Sequence, residues 1–310
     1  MEALLFLLPL GLLAAFAGGG GGSDDEDREP EPEPEVHTEE NDIVEGDSSP
    51  EELLGLGGND LILGAEGADS LRGGAGGDIL VGESGNDELS GQADGDLLIG
   101  GAGNDTLGGG DGNDSLISGP GSDRLFGGVG SDELFSISGA DSLFGGADED
   151  LIIGLDARDA ADAEALVSRV GDLLPSALDS NFGAAGSAEL ARVQDSLTLA
   201  TTNRAADVLD GGDGDDVLVG DLGDTMTGGL GTDEFEVYVE SGAAPVTVTD
   251  FDTAAETMFV LVENLTTQVL SLTDGAGGAE VRVDGTVVAV LQGILAANVD
   301  PASVILEAVT

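Results

Sequence analysis

The sequence predicts a mainly β protein built as a parallel solenoid, with a short α-helical insertion and a C-terminal β-rich cap. Three observations predict this fold. A nine-residue period rich in Gly runs without a gap through residues 55–153. The period is lost in residues 155–201, where Ala and Leu recur at helical spacing. Beyond residue 241, short alternating apolar segments are typical of strands.

The composition restricts the partners and the chemistry. The 310 residues include 63 Asp and Glu against 8 basic residues, which gives a formal charge of -55. Nucleic acids and anionic lipids are bound through Lys and Arg, so this charge predicts no nucleic-acid partner. Cys is absent and His occurs once, which excludes a disulfide framework, a Cys/His zinc site and a thiol nucleophile. The predicted partner is therefore a cation.

Residues 1–22 form a hydrophobic segment with two open interpretations. The apolar run 3–17 ends in Ala15-Phe16-Ala17, which matches the cleavage pattern of a signal peptide, although Glu2 stands where a basic residue is usual. The same run, extended by Gly to about 20 uncharged positions, could serve as a retained membrane anchor. Both interpretations predict that the rest of the chain is secreted or displayed at the cell surface.

Residues 23–52 are predicted to be an acidic, disordered linker. The segment is dense in Asp and Glu and alternates Glu with Pro through residues 29–35. Like charges repel and proline favours an extended backbone, so a solvated spacer is expected here.

Eleven nine-residue units form the first repeat block, assigned to residues 53–154. Position 8 of each unit is Leu or Ile, and positions 1 and 4 are Gly in nine units each. The exceptions are Ser118 and Ser136 at position 1, and Asp94 and Asp148 at position 4. Position 6 is Asp in every unit: Asp60, Asp69, Asp78, Asp87, Asp96, Asp105, Asp114, Asp123, Asp132, Asp141 and Asp150.

The fixed positions predict how a unit folds. Closely spaced Gly residues permit a tight turn, so positions 1 to 6 are expected to form a loop and positions 7 to 9 a short strand. Side chains alternate across a strand, which directs position 8 inward and positions 7 and 9 outward. Two units would make one 18-residue coil, and stacked coils would bury the Leu and Ile side chains between two parallel sheets.

The position-6 carboxylates would form a row along each edge of the solenoid. At the strand spacing of about 4.8 Å such a row repels itself unless a cation lies between its members. Calcium fits, because it is a hard ion that takes six to eight oxygen ligands from carboxylates and backbone carbonyls. The alternative is that Asp serves only as a turn residue, but Asn or Ser would serve that purpose as well.

A second repeat block is predicted in residues 202–240. Its units resume the pattern, although one unit is a residue short. The missing residue shifts the loop before Asp224, which makes that position the weakest of the metal candidates. The candidates in this block are Asp207, Asp216, Asp224 and Asp233.

The units resemble the hemolysin-type calcium-binding repeats of the RTX (repeats-in-toxin) family, with the nonapeptide GGxGxDxUx. The resemblance implies a right-handed parallel β-roll in a secreted protein. It also implies several calcium ions, each held between units i and i+2 by position-6 Asp side chains and loop carbonyls. The units containing Asp94 and Asp148 depart from the family pattern. Residues 246–261 resemble the strand-rich segment that closes many such regions, with Glu256 in place of the more usual Asp.

Two further features are expected around the repeats. Residues 241–310 are predicted to cap the open end of the roll, with a hairpin that turns at Asp284-Gly285. Phe126 and Phe144 fall 18 residues apart at outward position 9, and the helical insertion is expected to cover this apolar strip. The competing interpretation is that the strip binds a partner.

The predicted function is that of a secreted or cell-surface calcium-binding protein whose folding is coupled to extracellular Ca²⁺. It would have a structural or interaction role. The alternative is an adhesin-like accessory protein that binds cells or glycans in a Ca²⁺-dependent way. The sequence has no H-E-x-x-H or G-x-S-x-G motif, so it is predicted not to be an enzyme. A glycan-active enzyme that uses only carboxylates is the less favoured third hypothesis.

Overall fold

The computed structural model describes residues 38–154, 205–221, 223–239, 244–262 and 268–308. The hydrophobic segment 1–22 and the predicted helical insertion 155–201 lie outside the described residues. Within the described ranges, no helix is long and apolar enough to cross a membrane.

Strands follow one another closely from the first described residues to residue 154. They are β1 (Ile43–Glu45), β2 (Glu52–Gly57), β3 (Leu61–Leu63), β4 (Glu66–Gly67), β5 (Ser70–Ala75), β6 (Ile79–Gly85), β7 (Glu88–Ala93), β8 (Leu97–Ala102), β9 (Thr106–Asp111), β10 (Ser115–Ile117), β11 (Arg124–Val129), β12 (Glu133–Ser136), β13 (Ser142–Ala147) and β14 (Leu151–Gly154).

Further strands lie in the second block and the C-terminal region. They are β15 (Val208–Asp213), β16 (Val217–Gly220), β17 (Thr225–Leu230), β18 (Glu234–Tyr238), β19 (Val246–Val248), β20 (Thr257–Val262), β21 (Leu270–Asp274), β22 (Gly278–Val283), β23 (Thr286–Gln292) and β24 (Val304–Ala308). A short 3₁₀ helix, Ala296–Asn298, precedes β24.

The strands alternate between two 12-stranded sheets, as the repeat predicts. The first sheet has the order β1-β3-β6-β8-β10-β12-β14-β16-β18-β20-β24, with β4 beside β6. The second sheet has the order β2-β5-β7-β9-β11-β13-β15-β17-β19-β23-β22-β21. Neighbouring strands within the repeats are parallel and are offset by one coil, as in the pairing of Leu98 with Leu116. The described part of the chain is therefore a mainly β, parallel solenoid.

The position-8 side chains form the core between the two sheets, as predicted. They belong to one buried cluster, which includes Ile62, Leu71, Leu80, Leu89, Leu98, Leu107, Leu116, Leu125, Leu134, Leu143 and Ile152. None of these side chains is more than 1% exposed. Burial of a Leu or Ile side chain stabilises the fold by about 1.5–3 kcal/mol, so the stacked column is a major source of stability.

The strands of the second sheet are longer than the sequence pattern predicts. The strand β5 runs from position 7 of one unit through position 3 of the next, and β7, β9, β11 and β13 do the same. The predicted six-residue loop is wrong in this respect. Positions 1 to 3 keep an extended backbone because they pair with the same positions one coil away, as Gly128 pairs with Gly146.

The coil register continues across residues 155–204. Before and after that segment, β13 pairs with β15 and β14 pairs with β16, both in parallel. Leu143 lies beside Leu209, and Ile152 lies beside Leu218. The two repeat blocks are thus one solenoid, with the intervening residues inserted between consecutive coils.

The solenoid also begins earlier than the predicted linker boundary at residue 52. The strand β1 pairs with β3 through Val44 and Ile62, and β2 pairs with β5 through Leu53 and Leu71. Val44 is 1% exposed and belongs to the core. Residues 43–52 therefore belong to the solenoid, because their apolar side chains take the inward position despite the acidic sequence around them.

The C-terminal strands leave the parallel pattern. The strand β23 pairs in parallel with β19, but β22 pairs antiparallel with β23, and β21 antiparallel with β22. The predicted hairpin turn is confirmed at Asp284 and Gly285, whose φ angles of 51° and 84° suit a tight turn between twisted strands.

Candidate metal sites on two aspartate ladders

The fifteen Asp residues predicted as metal ligands form two rows at the edges of the sheets. All fifteen are buried, and none is more than 4% exposed. The first ladder precedes the strands of the first sheet and contains Asp60, Asp78, Asp96, Asp114, Asp132, Asp150, Asp216 and Asp233. The second ladder precedes the strands of the second sheet and contains Asp69, Asp87, Asp105, Asp123, Asp141, Asp207 and Asp224.

Hydrogen bonds join the members of each ladder. Except in the last member of each ladder, the backbone N–H of each Asp donates to Oδ1 of the Asp one coil further on, as Asp78 does to Asp96 at 2.7 Å. The insertion does not break the ladders, since Asp141 donates to Asp207 and Asp150 to Asp216, both at 2.8 Å. Where the second block is a residue short, Asp207 still donates to Asp224 at 2.8 Å. One carboxylate oxygen of each acceptor thus fixes the turn.

The second carboxylate oxygen, Oδ2, is buried without a hydrogen-bond partner in most of these residues. A buried polar atom with no partner costs about 1–3 kcal/mol, and more when it is charged. Because this cost is repeated along both ladders, the sites are incomplete without a cation or a hydrogen-bond donor at Oδ2. The described residues concerned include Asp69, Asp78, Asp87, Asp96, Asp105, Asp114, Asp132, Asp150 and Asp216.

The position-1 Gly residues allow Oδ2 and a backbone carbonyl of the next coil to come close to the main chain. A Cβ added at Gly109 would lie 2.2 Å from Oδ2 of Asp114 and 2.7 Å from the carbonyl oxygen of Gly127. A Cβ at Gly127 would meet Asp132 and Gly145 in the same way, at 2.3 Å and 2.5 Å. A carboxylate oxygen and a backbone carbonyl oxygen of the next coil thus lie close to each of these Gly residues.

Two of the fifteen residues differ from the rest. Oδ2 of Asp224 accepts the backbone N–H of Asp221 at 2.7 Å. Oδ2 of Asp141 accepts the hydroxyl of Ser136, one of the two Ser residues that replace a position-1 Gly. In both cases a protein donor occupies the Oδ2 contact that stays open at residues such as Asp114 and Asp216. That Asp224 is the weakest of the metal candidates stays a prediction.

Burial shifts the acidity of the ladders strongly. Desolvation is the largest cause, and it raises the pKa of Asp96 and Asp123 to about 8. It also raises the pKa of Asp78, Asp87, Asp132 and Asp150 to about 7, and that of Asp105 and Asp216 to about 6. The accepted backbone N–H opposes the shift, and for several of these groups neighbouring ladder carboxylates add to it. The ionised ladders are therefore poorly stabilised by the protein alone.

The two units that depart from the position-4 Gly keep the turn. Asp94 and Asp148 adopt left-handed φ angles of 72° and 78°. Asp is among the few residues that tolerate this region. Asp94 also accepts the backbone N–H of Gly76 through Oδ2, at 3.2 Å. The ladders on either side of both residues are intact.

The structure adds ladder positions that the sequence prediction did not include as sites. The backbone N–H groups of Asp42 and Glu51 donate to Oδ1 of Asp60 and Asp69, both at 2.8 Å. At the other end, Thr257 pairs with Glu234, so Glu256 lies one coil beyond Asp233. Glu256 is 5% exposed, and desolvation raises its pKa to about 7. A search at 18-residue spacing upstream of residue 55 would have found the first two.

The donor set of the ladders fits calcium. Within the described residues, no group of three or more acidic or His side chains converges on one point. A metal ion on a ladder would thus combine the position-6 carboxylates with backbone carbonyls such as those of Gly127 and Gly145. An all-oxygen set of this kind suits a hard cation and not Zn²⁺. A bound cation would neutralise the negative charge of the carboxylates and give their Oδ2 atoms a partner.

Comparison with known proteins assigns the same class. The family model of the RTX calcium-binding nonapeptide repeat matches residues 38–71, 45–80, 54–89, 72–107, 108–136, 127–161 and 200–226. The chain belongs to this family of calcium-binding repeat proteins. No curated protein matches the chain.

Proposed function

We propose that the protein is a secreted or cell-surface calcium-binding protein whose solenoid folds when Ca²⁺ binds. The observation that carries the proposal is the pair of ladders of buried carboxylates, most of whose Oδ2 atoms have no hydrogen-bond partner and lie close to a backbone carbonyl oxygen. Ions that bind only the folded chain stabilise it through their binding free energy. The role is structural or interactive, and no catalytic activity is assigned to the chain.

Calcium coupling follows from the charges of the ladders. Without a cation, each coil brings carboxylates into a dry environment next to those of the adjacent coils. Sites in extracellular modules bind Ca²⁺ with dissociation constants of about 10⁻⁴–10⁻³ M, or roughly 4–5.5 kcal/mol each. Several such sites together would shift the folding equilibrium toward the folded state. Burial of the Leu and Ile core would supply the remaining stabilising free energy.

The finer organisation of the chain is part of the same proposal. Residues 1–22 act as a signal or anchor, and the acidic segment that follows acts as a spacer. The solenoid is right-handed. Residues 241–310 cap it, because the antiparallel strands β21 and β22 end the parallel stack of the second sheet. The sequence of residues 155–201 favours a helical insertion.

An interaction role is favoured by one surface observation. The rings of Phe126 and Phe144 stack with centroids 5.1 Å apart on the outer face of the second sheet. Phe126 is 42% exposed and nearby Val129 is 52% exposed. Phe144 is half-buried, and the insertion that was expected to cover this strip lies outside the described residues. A Ca²⁺-dependent adhesin-like contact with cells or glycans could use this surface.

Calorimetric titration tests the proposed function. Full-length protein at neutral pH should bind several Ca²⁺ ions. Mg²⁺ at the same concentration should bind far less, since Mg²⁺ requires a small octahedral site and holds its water. Binding of one Ca²⁺ or none, or equal binding of Mg²⁺, would reject the proposal.

A further inference from the structure

The second ladder contains the loop in which the insertion lies. In a regular unit the position-1 Gly precedes the position-6 Asp by five positions. In the unit of Asp207 position 1 is Gly154, which pairs with Ser136 at position 1 of the preceding coil. Residues 155–204 therefore separate the two ends of this one loop. Asp141 donates its backbone N–H to Asp207, and Asp207 donates to Asp224, so the interrupted unit has a ladder neighbour on each side.

Ser136 closes the carboxylate of the neighbour on one side, Asp141. Oδ1 of Asp141 accepts the backbone N–H of Asp123 at 2.7 Å, as in a regular unit. Oδ2 accepts the hydroxyl of Ser136, which stands in place of the usual position-1 Gly. Asp141 and Ser136 are each only 1% exposed. A cation at this carboxylate would have to displace a buried hydrogen bond that the protein already makes.

A shortened loop closes the carboxylate of the neighbour on the other side, Asp224. Gly220 precedes Asp224 by four positions instead of five. In the resulting turn, the N–H of Asp221 donates to Oδ2 of Asp224 at 2.7 Å, and the N–H of Asp224 donates to the carbonyl oxygen of Asp221 at 2.9 Å. Oδ1 of Asp224 accepts the N–H of Asp207. Both carboxylate oxygens therefore have a backbone donor.

The atoms around the shortened loop also differ from those of a regular unit on the same ladder. A Cβ added at Gly100 would lie 2.6 Å from Oδ2 of Asp105 and 2.6 Å from the carbonyl oxygen of Ser118. A Cβ added at Gly220 would instead meet Sδ of Met226 at 3.1 Å. Calcium takes oxygen ligands, and a thioether is a soft ligand that does not suit it.

The first ladder stays open in the same coils. Oδ2 has no hydrogen-bond partner in Asp150 or in Asp216. A Cβ added at Gly145 would lie 2.2 Å from Oδ2 of Asp150 and 2.7 Å from the carbonyl oxygen of Gly211. The two edges of the solenoid therefore differ next to the insertion, although the sequence has Asp at position 6 on both.

We propose that calcium does not bind at Asp141 and Asp224, and that the coils next to the insertion hold calcium on the first ladder alone. The proposal rests on the proposed binding of calcium at the open ladder positions. At the two closed positions, the hydroxyl of Ser136 and the N–H of Asp221 take the place of the ion. The second edge is thereby held together on both sides of the interrupted loop by hydrogen bonds that need no cation.

Ser136→Gly in the full chain tests the proposal by opening one closed position. It removes the hydroxyl and restores the residue that nine of the eleven units have there. The variant should be less stable than the parent at low Ca²⁺ and should gain on the parent as Ca²⁺ rises. Above the dissociation constant of the new site, each tenfold rise in Ca²⁺ should raise its folding equilibrium constant relative to the parent by up to about tenfold. Urea unfolding between about 1 and 100 mM Ca²⁺, at constant ionic strength, measures this ratio.

The matched control is Ser138→Gly, the same change two residues further along the same loop at another buried Ser. Its folding equilibrium constant relative to the parent should not depend on Ca²⁺. A ratio for Ser136→Gly that is equally independent of Ca²⁺ would overturn the proposal.

Asp141→Asn and Asp105→Asn give a second measurement, which does not require a new site to form. Oδ2 of Asp105 has no hydrogen-bond partner, so Asp105→Asn should fall behind the parent by up to about tenfold for each tenfold rise in Ca²⁺. The ratio for Asp141→Asn should stay constant, and a loss as large as that of Asp105→Asn would overturn the proposal. If the ratio for Asp105→Asn did not depend on Ca²⁺ either, the proposed calcium binding would itself fail, and this proposal with it.

Discussion

The backbone N–H of Asp96 donates a 2.8 Å hydrogen bond to Oδ1 of Asp114, eighteen residues further along the chain. The other oxygen of Asp114, Oδ2, is buried without a hydrogen-bond partner. The two oxygens therefore have separate roles, one in the turn and one toward a cation. An Asn side chain has only one oxygen, so a single substitution can separate the two roles.

Replacing Asp114 by Asn should weaken calcium binding without weakening the turn. The amide oxygen can still accept the N–H of Asp96, but the charge and the second oxygen are lost. We expect the Ca²⁺ affinity of that site to fall by about tenfold or more. In EGTA the variant should be at least as stable as the parent, because a desolvated charge has been removed. A calcium titration and urea unfolding measure the two effects.

The matched control is Asp111→Asn, which removes an exposed charge from the same coil. It should change neither the calcium midpoint nor the stability in EGTA appreciably. If Asp114→Asn behaved like this control, Asp114 would be only a turn residue.

Replacing Gly109 by Ala should destabilise the calcium-bound protein by about 1–3 kcal/mol. The new Cβ would meet Oδ2 of Asp114 at 2.2 Å and the carbonyl oxygen of Gly127 at 2.7 Å. The adjacent Gly108 is the control, since the nearest atom to a Cβ there is 4.0 Å away. Urea unfolding in Ca²⁺ should separate the two variants. Equal stability of Gly109→Ala and Gly108→Ala would show that the close approach of these two oxygens to Gly109 does not matter for stability.

Acidification should stabilise the calcium-free solenoid. The pKa of Asp96 in the folded chain is about 8, above its ordinary value of 3.8, because burial disfavours the ionised form. Between about pH 4 and pH 8 the folded state therefore binds more protons than the unfolded state, and the free energy of unfolding falls as pH rises. In EGTA, the β signal in circular dichroism should increase from pH 8 to pH 5.

Calcium should weaken this pH dependence, because carboxylates that hold Ca²⁺ are ionised in the folded chain, as they are in the unfolded chain above about pH 6. In saturating Ca²⁺ the β signal should therefore change less between about pH 6 and pH 8 than it does in EGTA. A calcium-free chain that gains β structure on going from pH 5 to pH 8 would contradict the assigned burial of the ladders.

Asp224→Asn should change the calcium titration less than Asp216→Asn. Oδ2 of Asp224 already accepts the N–H of Asp221, whereas Oδ2 of Asp216 has no hydrogen-bond partner. The two variants remove one charge each from the same repeat block, so each controls for the other. An equal or larger shift with Asp224→Asn would mean that the contact with Asp221 gives way to a metal ion.

The repeated features of the fold were predictable from sequence because the same residue types recur at the same positions in every unit. The inward position of residues such as Leu98 and the edge position of residues such as Asp96 follow from alternation along a short strand. Stacking in 18-residue coils follows from the need to bury one side chain per unit. These relations do not depend on the surroundings of any single unit.

Features that depend on context were harder to predict. The coil that contains Asp42 and Glu51 keeps only Gly46 of the Gly residues typical of the later units, and its acidity suggests a solvated linker. The buried apolar side chains at positions 7 and 9 of the first sheet were not predicted, because the units were treated as equivalent. Ile79 and Val81 occupy the same unit positions as Glu88 and Ser90 in the next unit. The apolar character of the first pair becomes a pattern only when every second unit is compared. The long strands of the second sheet reflect pairing between coils, which a single unit does not encode.

Far-UV circular dichroism of the full chain at neutral pH, in EGTA and then with increasing Ca²⁺, tests calcium-coupled folding most directly. We expect a largely disordered spectrum in EGTA and a cooperative gain of β signal at millimolar Ca²⁺. Na⁺ at the same ionic strength should produce little change, because screening does not replace coordination by carboxylate oxygens. The same β spectrum in EGTA and in Ca²⁺ would contradict the account.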